Sequence, residues 1–155
     1  MKGCKDKMST MASIQWTFFP CPDNMVAVIQ LMLAHDWTIN DCGLMGFLPI
    51  HDYGMYNWQR EEINIDKLME VLKEKERLNE QLGVSITWKD TNIGGELLTY
   101  SADEMGLVIT INRQVIPLSE GVTTTDANWY IEKIKPIFTS ESGITISSIR
   151  FSEIY

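Results

Sequence analysis

Two histidines in the chain are each followed by an aspartate, at His35-Asp36 and His51-Asp52. A histidine beside a carboxylate can ligate a metal ion or act as a general base. A metal site, however, needs three or four ligands at suitable spacing. One pair falls at the predicted end of a helix, where the helix dipole favours a protonated histidine, and the other falls in a predicted loop. We therefore expect no metal site and no catalytic residue from either pair.

The three cysteines, Cys4, Cys21 and Cys42, form no C-x-x-C pair, and their number is odd. This pattern predicts reduced thiols rather than a disulfide framework, with Cys21 and Cys42 buried and inert. The glycine pairs in residues 43–46 and 94–95 lack the lysine and hydroxyl that a phosphate-binding loop requires. The sequence contains no family motif, and it predicts a protein that is not an enzyme and has no cofactor.

The stretch from His51 to Arg60 follows neither the period of a strand nor that of a helix, and it is rich in aromatic residues that carry a polar group. Tyrosine and tryptophan bury large areas at low entropic cost, and flanking carboxylates can meet a basic partner. The stretch therefore predicts a protein-contact surface formed by Asp52, Tyr53, Tyr56, Trp58, Glu61 and Glu62. The alternative is that these rings only cover an edge of the sheet.

The formal net charge of the 155-residue chain is −8. This charge argues against nucleic-acid binding, which needs basic residues, and against docking on anionic lipid. It suits a basic protein partner, although many cytosolic proteins are acidic simply for solubility. The longest apolar segment, residues 25–34, is too short to span a bilayer, and no secretion signal is recognisable. The sequence thus predicts a soluble cytoplasmic protein without a membrane partner.

The clearest structural pattern runs from Gly83 to Asn112. Apolar and polar residues alternate in residues 84–88 and again in residues 107–111, as they do in strands with one buried face. Residues 90–95 and 101–104 contain the Asp, Asn, Ser and Gly that turns favour. Short connections imply antiparallel neighbours, so this segment predicts a three-stranded meander.

The remaining chain predicts strands and helices on either side of the meander. We expect strands at residues 13–19 and 144–151, the latter with a bulge at Ser147-Ser148, and helices at residues 22–35, at 67–82 with Gly83 as the C-cap, and from Thr125 or Asp126 to Pro136. Residues 36–50 form either a loop or short strands, and the charged run in residues 70–80 is interpreted as a solvated face. The predicted fold class is α+β. Residues 1–12 are a flexible segment, and residues 13–155 form a single domain with a mainly antiparallel sheet and about three helices on one face.

These features favour a non-enzymatic protein-binding domain. One such protein is an immunity protein, which neutralises a basic bacterial toxin, for example a nuclease, by occluding its active site. Two alternatives remain open. The chain could be a small-molecule-binding or enzymatic α+β domain with a pocket near His51 and Asp52, or a structural subunit of a phage or secretion assembly. The oligomeric state is not predicted.

Overall fold

The computed structural model describes residues 11–154. The helices are α1 (Met25–Leu33), α2 (Ile65–Arg77) and α3 (Ala127–Ile134), and a single 3-10 turn follows α3 at Lys135–Ile137. The strands are β1 (Met11–Phe18), β2 (Trp37–Ile39), β3 (Met45–Phe47), β4 (Gln59–Glu61), β5 (Gly83–Trp88), β6 (Gly94–Thr99), β7 (Glu104–Ile111), β8 (Val115–Ser119), β9 (Val122–Thr125) and β10 (Ile146–Ile154).

The main sheet has eight strands in the order β10-β1-β7-β6-β5-β3-β4, and β2 pairs with β5 beside this path. All the pairings are antiparallel. The strands β8 and β9 form a separate hairpin. The strands β6 and β7 pack closely at the centre of the sheet. A side chain at Gly95 would overlap the carbonyl oxygen of Val108 in β7. The fold is therefore α+β with a mainly antiparallel sheet, as the sequence predicts.

One hydrophobic core lies between the sheet and the helices. Alternate residues of β1 face it, with Ile14 and Trp16 almost fully buried, while Ser13 and Gln15 on the other face remain partly exposed. Helices α1, α2 and α3 all contribute buried side chains to the same cluster. Burying apolar area between these layers is the main favourable term in folding. Within residues 11–154, no helix is long and apolar enough to cross a membrane.

Several sequence predictions are confirmed. The meander is present as β5, β6 and β7. The first two predicted helices are present as α1 and α2, where Asn24 and Asn64 cap the first turns by accepting hydrogen bonds from backbone N–H groups. In β10 the register shifts so that Thr17 pairs with Ser148 and Phe18 with Ile146. The extra residue between these pairs is the bulge that the change of hydrophobic phase predicts.

Other boundaries differ from the predictions. Strand β1 begins at Met11, and Ala12 is fully buried, so the predicted boundary at residue 13 lies too late; residues 1–10 of the predicted flexible segment lie outside the described residues. The second helix ends at Arg77, and Asn79 adopts a left-handed conformation with φ 57°. Gly83 is therefore not its C-cap. It lies in β5, where Leu48 fills the space that a side chain would need.

The cysteine predictions are also corrected. Cys42 is disulfide-bonded, and Cys21 is a free but exposed thiol rather than a buried one. Cys4 lies outside the described residues. Sequence spacing gave no sign of the disulfide, because pairing depends on which cysteines meet in the fold and not on their separation along the chain.

Candidate functional site

The loop between β3 and β4 has an unusual backbone. His51, Tyr53, Gly54 and Tyr56 all have positive φ angles, of 64°, 52°, 75° and 55°. Left-handed conformations are unfavourable for residues other than glycine, so three of these positions need support from their surroundings. We call residues 51–57 the aromatic loop.

Asp52 provides much of this support from inside the aromatic loop. It is only 6% exposed, and its two carboxylate oxygens accept hydrogen bonds from the backbone N–H groups of Tyr56 at 2.9 Å and Asn57 at 2.8 Å. Its carbonyl oxygen accepts a third from the N–H of Met55. Hydrogen bonds to a carboxylate are stronger than neutral ones. Asp52 was predicted as a contact residue, but its burial makes it a residue that holds the loop in shape.

Lys75 of α2 holds the chain just before the aromatic loop. Its side chain is 1% exposed, and its Nζ donates to the carbonyl oxygens of Leu48 at 3.1 Å and Pro49 at 2.8 Å. Burial lowers the pKa of Lys75, an effect that the nearby charges of Glu80 and Asp52 partly oppose. The interpretation of residues 70–80 as a solvated face is therefore wrong at Lys75. The signal was its position, since Lys75 shares the helical stripe of the buried residues Leu68 and Leu72.

Glu80, which follows α2, holds the first residue of the aromatic loop. Its Oε1 accepts a hydrogen bond from the backbone N–H of His51 at 2.7 Å, and its Oε2 lies 3.2 Å from His51 Nδ1. The hydroxyl of Tyr53 lies 3.0 Å from the same Nδ1, and the two rings stack with centroids 5.4 Å apart. Nδ1 of His51 therefore lies between the Glu80 carboxylate and the Tyr53 hydroxyl, and both contacts help to organise the loop.

The two His-Asp pairs do not come together. The Nδ1 atom of His35 lies 2.9 Å from the carbonyl oxygen of Leu31, and Asp36 faces Lys89 at 3.7 Å. Among residues 11–154, no group of three or more His, Cys, Asp or Glu side chains is arranged to hold a metal ion.

The aromatic loop presents large side chains to solvent. Tyr53 is 76% exposed, Met55 70% and Tyr56 49%. Met55 was not predicted, because a lone methionine in an aperiodic stretch carries no signal of exposure. Trp58 is half-buried, and the other predicted contact residues, Glu61 in β4 and the adjacent Glu62, lie exposed at the sheet edge.

A cleft of about 720 Å³ lies beside the aromatic loop. Its walls come from the start of α1, the end of α2, the turn between β6 and β7, and Tyr56 of the loop. The early end of α2 makes this possible, because residues 79–82 then line the cleft instead of continuing the helix. Neither His51 nor Asp52 is among the lining residues, so the cleft does not coincide with the pocket predicted at that pair.

Tyr100 forms the wall of the cleft opposite α1 and α2. Its ring lies over Gly106, where an added Cβ would approach a ring carbon to 2.9 Å. Burial raises the pKa of Tyr100, with smaller contributions from Tyr56 and Glu104 and an opposing hydrogen bond with Gln15. The ring lies on the polar face of the sheet, where Gly106 leaves room for it, and remains 39% exposed.

The free thiol nearest the cleft, Cys21, donates to the carbonyl oxygen of Ala102 at 3.3 Å, and within residues 11–154 no base contacts it. Comparison of the chain with family models, curated proteins and solved structures finds no match. Function is therefore inferred from the geometry and chemistry of the site itself.

Proposed function

We propose that this protein is a non-enzymatic binding protein that inhibits a basic protein partner by covering a functional surface of that partner. An immunity protein against a nuclease-like bacterial toxin is the specific form of this proposal. The observation that carries it is the aromatic loop, in which buried polar groups hold the backbone that presents Tyr53, Met55 and Tyr56 to solvent.

Preorganisation is what distinguishes this loop from an ordinary surface loop. Ordering a flexible segment costs free energy on association, and a segment that is already ordered avoids that cost. Asp52 and Glu80 hold the loop, and Lys75 holds the chain just before it, before any partner arrives. Tyrosine side chains have few rotatable bonds, and methionine adapts its shape to the opposing surface. The loop therefore combines the properties of an efficient contact surface.

Charge supports a basic partner. The chain carries a net charge of −8. Near the aromatic loop, Glu61 and Glu62 are exposed, and within residues 11–154 neither forms an ion pair. Acidic groups around an apolar centre accelerate association with a basic surface and lose this effect as salt is added. A nuclease is a fitting target, since its substrate-binding cleft must be basic.

A matched pair of variants tests the proposal. The wild-type protein is used in calorimetry against a toxin encoded beside it, and in capture from native host lysate at low and higher salt. Tyr53→Ala/Met55→Ala should weaken binding at least about tenfold, because contacts that dominate an interface each contribute about 1–2 kcal/mol or more. The control Ile116→Ala/Leu118→Ala removes exposed apolar side chains from the β8–β9 hairpin and should bind as the wild type does. No binding at micromolar concentration, or equal loss in both variants, contradicts the proposal.

The proposal includes a cytoplasmic location. The disulfide at Cys42 argues against this location, because disulfides are rare in the cytosol. Alkylation of free thiols during lysis of the native host shows whether Cys42 is oxidised there. Cys21 should be labelled in either case, since it is free and exposed. Labelled Cys42 would support the cytoplasm, and protected Cys42 would argue for an oxidising compartment.

A further inference from the structure

We propose that the cleft beside the aromatic loop receives an arginine side chain of the partner protein. This inference rests on the proposed function, because it assigns one specific contact to the same binding surface. Four observations support it: the charge of the lining, the hydrogen bonds already made there, the orientation of the helices and the two tyrosine rings.

The lining is acidic. Asp23, Glu76 and Glu80 contribute carboxylates to it, and none of the described residues that line the cleft is a lysine, arginine or histidine. The nearest cations of α2 are directed elsewhere. Lys75 donates to buried carbonyl groups, and the guanidinium of Arg77 pairs with Glu74. A cationic group entering the cleft would therefore meet no repelling side chain among the described lining residues.

The hydrogen bonds of the cleft leave acceptors rather than donors available. Although the N-terminus of α1 is a potential anion site, Glu76 Oε2 already accepts from the N–H groups of Met25 at 2.6 Å and Val26 at 3.3 Å, and Asn24 caps the next N–H. In contrast, among residues 11–154 no donor contacts Asp23 or the second oxygen of Glu76. The cleft consequently suits a ligand that donates hydrogen bonds.

The helix dipoles act in the same direction. The C-terminus of α2, which carries partial negative charge, ends at the cleft, where Asn79 and Gln81 are lining residues. The partial positive charge at the start of α1 is neutralised by the Glu76 carboxylate. With Glu76 neutralising the start of α1, the carboxylate of Asp23 and the C-terminus of α2 still favour a cation at the cleft.

The two tyrosines favour arginine over lysine. Tyr56 and Tyr100 both line the cleft, and both are partly exposed. A guanidinium is planar and stacks on aromatic rings, and its several N–H donors can reach two carboxylates at once, whereas an ammonium is compact and strongly hydrated. The combination of aromatic walls and spaced carboxylates is thus complementary to an arginine side chain.

A peptide titration tests this inference without the partner. Acetyl-Gly-Arg-Gly-amide is titrated into the full chain while backbone amide shifts are followed by NMR, with the same peptide containing citrulline as a neutral isostere. We expect a Kd on the order of 1–10 mM, since one cation–π contact and a few exposed ion pairs contribute only a few kcal/mol. The shifts should be centred on Asn79 and Ser101 and should be absent with citrulline. Equal shifts with citrulline, or no shifts at the cleft, would overturn the inference.

Variants separate this inference from the proposed function. Asp23→Asn/Glu76→Gln should weaken the arginine peptide about three- to tenfold, and glutamine can still accept the α1 hydrogen bonds. The control Glu120→Gln/Glu141→Gln neutralises two exposed carboxylates outside the lining and should bind the peptide normally. Tyr53→Ala/Met55→Ala should weaken binding of the partner at least about tenfold and leave binding of the peptide unchanged. If the cleft variant keeps full affinity for the partner, the arginine contact is refuted while the proposed function stands.

Discussion

The role of Asp52 leads to a quantitative prediction. Asp52→Asn preserves the shape of the side chain but replaces one of two acceptor oxygens by an NH2 group. That group then faces a backbone N–H, either of Tyr56 or of Asn57, so one hydrogen bond is lost and the other loses its charge assistance. A hydrogen bond to a charged group contributes about 1.5–3 kcal/mol. Water can reach the backbone N–H groups when the loop opens, and this limits the cost. We therefore expect the free energy of unfolding to fall by about 2–3 kcal/mol, which lowers Tm by roughly 4–12 °C for a chain of this size.

Two measurements check this value. Urea denaturation reports the global free energy of unfolding, and hydrogen exchange at the amides of Tyr56 and Asn57 reports opening of the loop. Asp103→Asn is a matched control, since its exposed carboxylate accepts from the Ser101 hydroxyl in the turn between β6 and β7, and it should change stability by less than about 0.5 kcal/mol. The reasoning fails if Asp52→Asn keeps both the wild-type denaturation midpoint and the wild-type exchange rates at the two amides.

Three further predictions concern other buried or crowded groups. Burial lowers the pKa of Lys75, so between the lowered value and the ordinary value of about 10.4 the unfolded chain binds more protons and stability rises with pH. Lys75→Met should remove this rise in urea denaturation measured from about pH 7 to 10. If the variant's stability rises with pH as steeply as that of the wild type, the prediction is wrong. Burial raises the pKa of Tyr100, so stability should fall as pH increases past the ordinary value of about 10; Tyr100→Phe should abolish a late phenolate absorbance step, and persistence of that step would assign it to another tyrosine. Gly95→Ala should cost more than about 3 kcal/mol or prevent folding, because the new Cβ would overlap the Val108 carbonyl oxygen; a variant that unfolds at the wild-type temperature would show that β6 and β7 are less closely packed.

The sequence predicts those parts of the fold whose signals are local. The meander is recognisable because its residues alternate with period two, and the bulge in β10 follows from the change of phase between Ile146 and Ile149. Helix starts are recognisable because a single side chain such as Asn24 supplies the cap. The hairpin of β8 and β9 was missed, since Pro117 interrupts its pattern and most of its residues are exposed.

The candidate site could be located but not described from the sequence. Composition drew attention to Tyr53 and Tyr56, and both lie exposed on the aromatic loop. The sequence did not predict that Asp52 and Lys75 are buried. The burial of each depends on hydrogen bonds to backbone groups that come together only in the fold. The contribution of Tyr100 to the cleft likewise depends on sheet packing over Gly106, far from the aromatic loop in sequence.

The pairing of β1 with β10 determines when the sheet can be completed during synthesis. Thr17 and Ser147, which are joined by a hydrogen bond across these strands, are separated by 130 positions in the chain. At about 5–20 residues per second, a ribosome needs roughly 7–26 s to add that length. Throughout this interval one side of β1 has no strand beside it, and exposed strand edges promote aggregation. The nascent chain should therefore bind chaperones most strongly before β10 emerges. A variant truncated before Ile146 should continue to bind them.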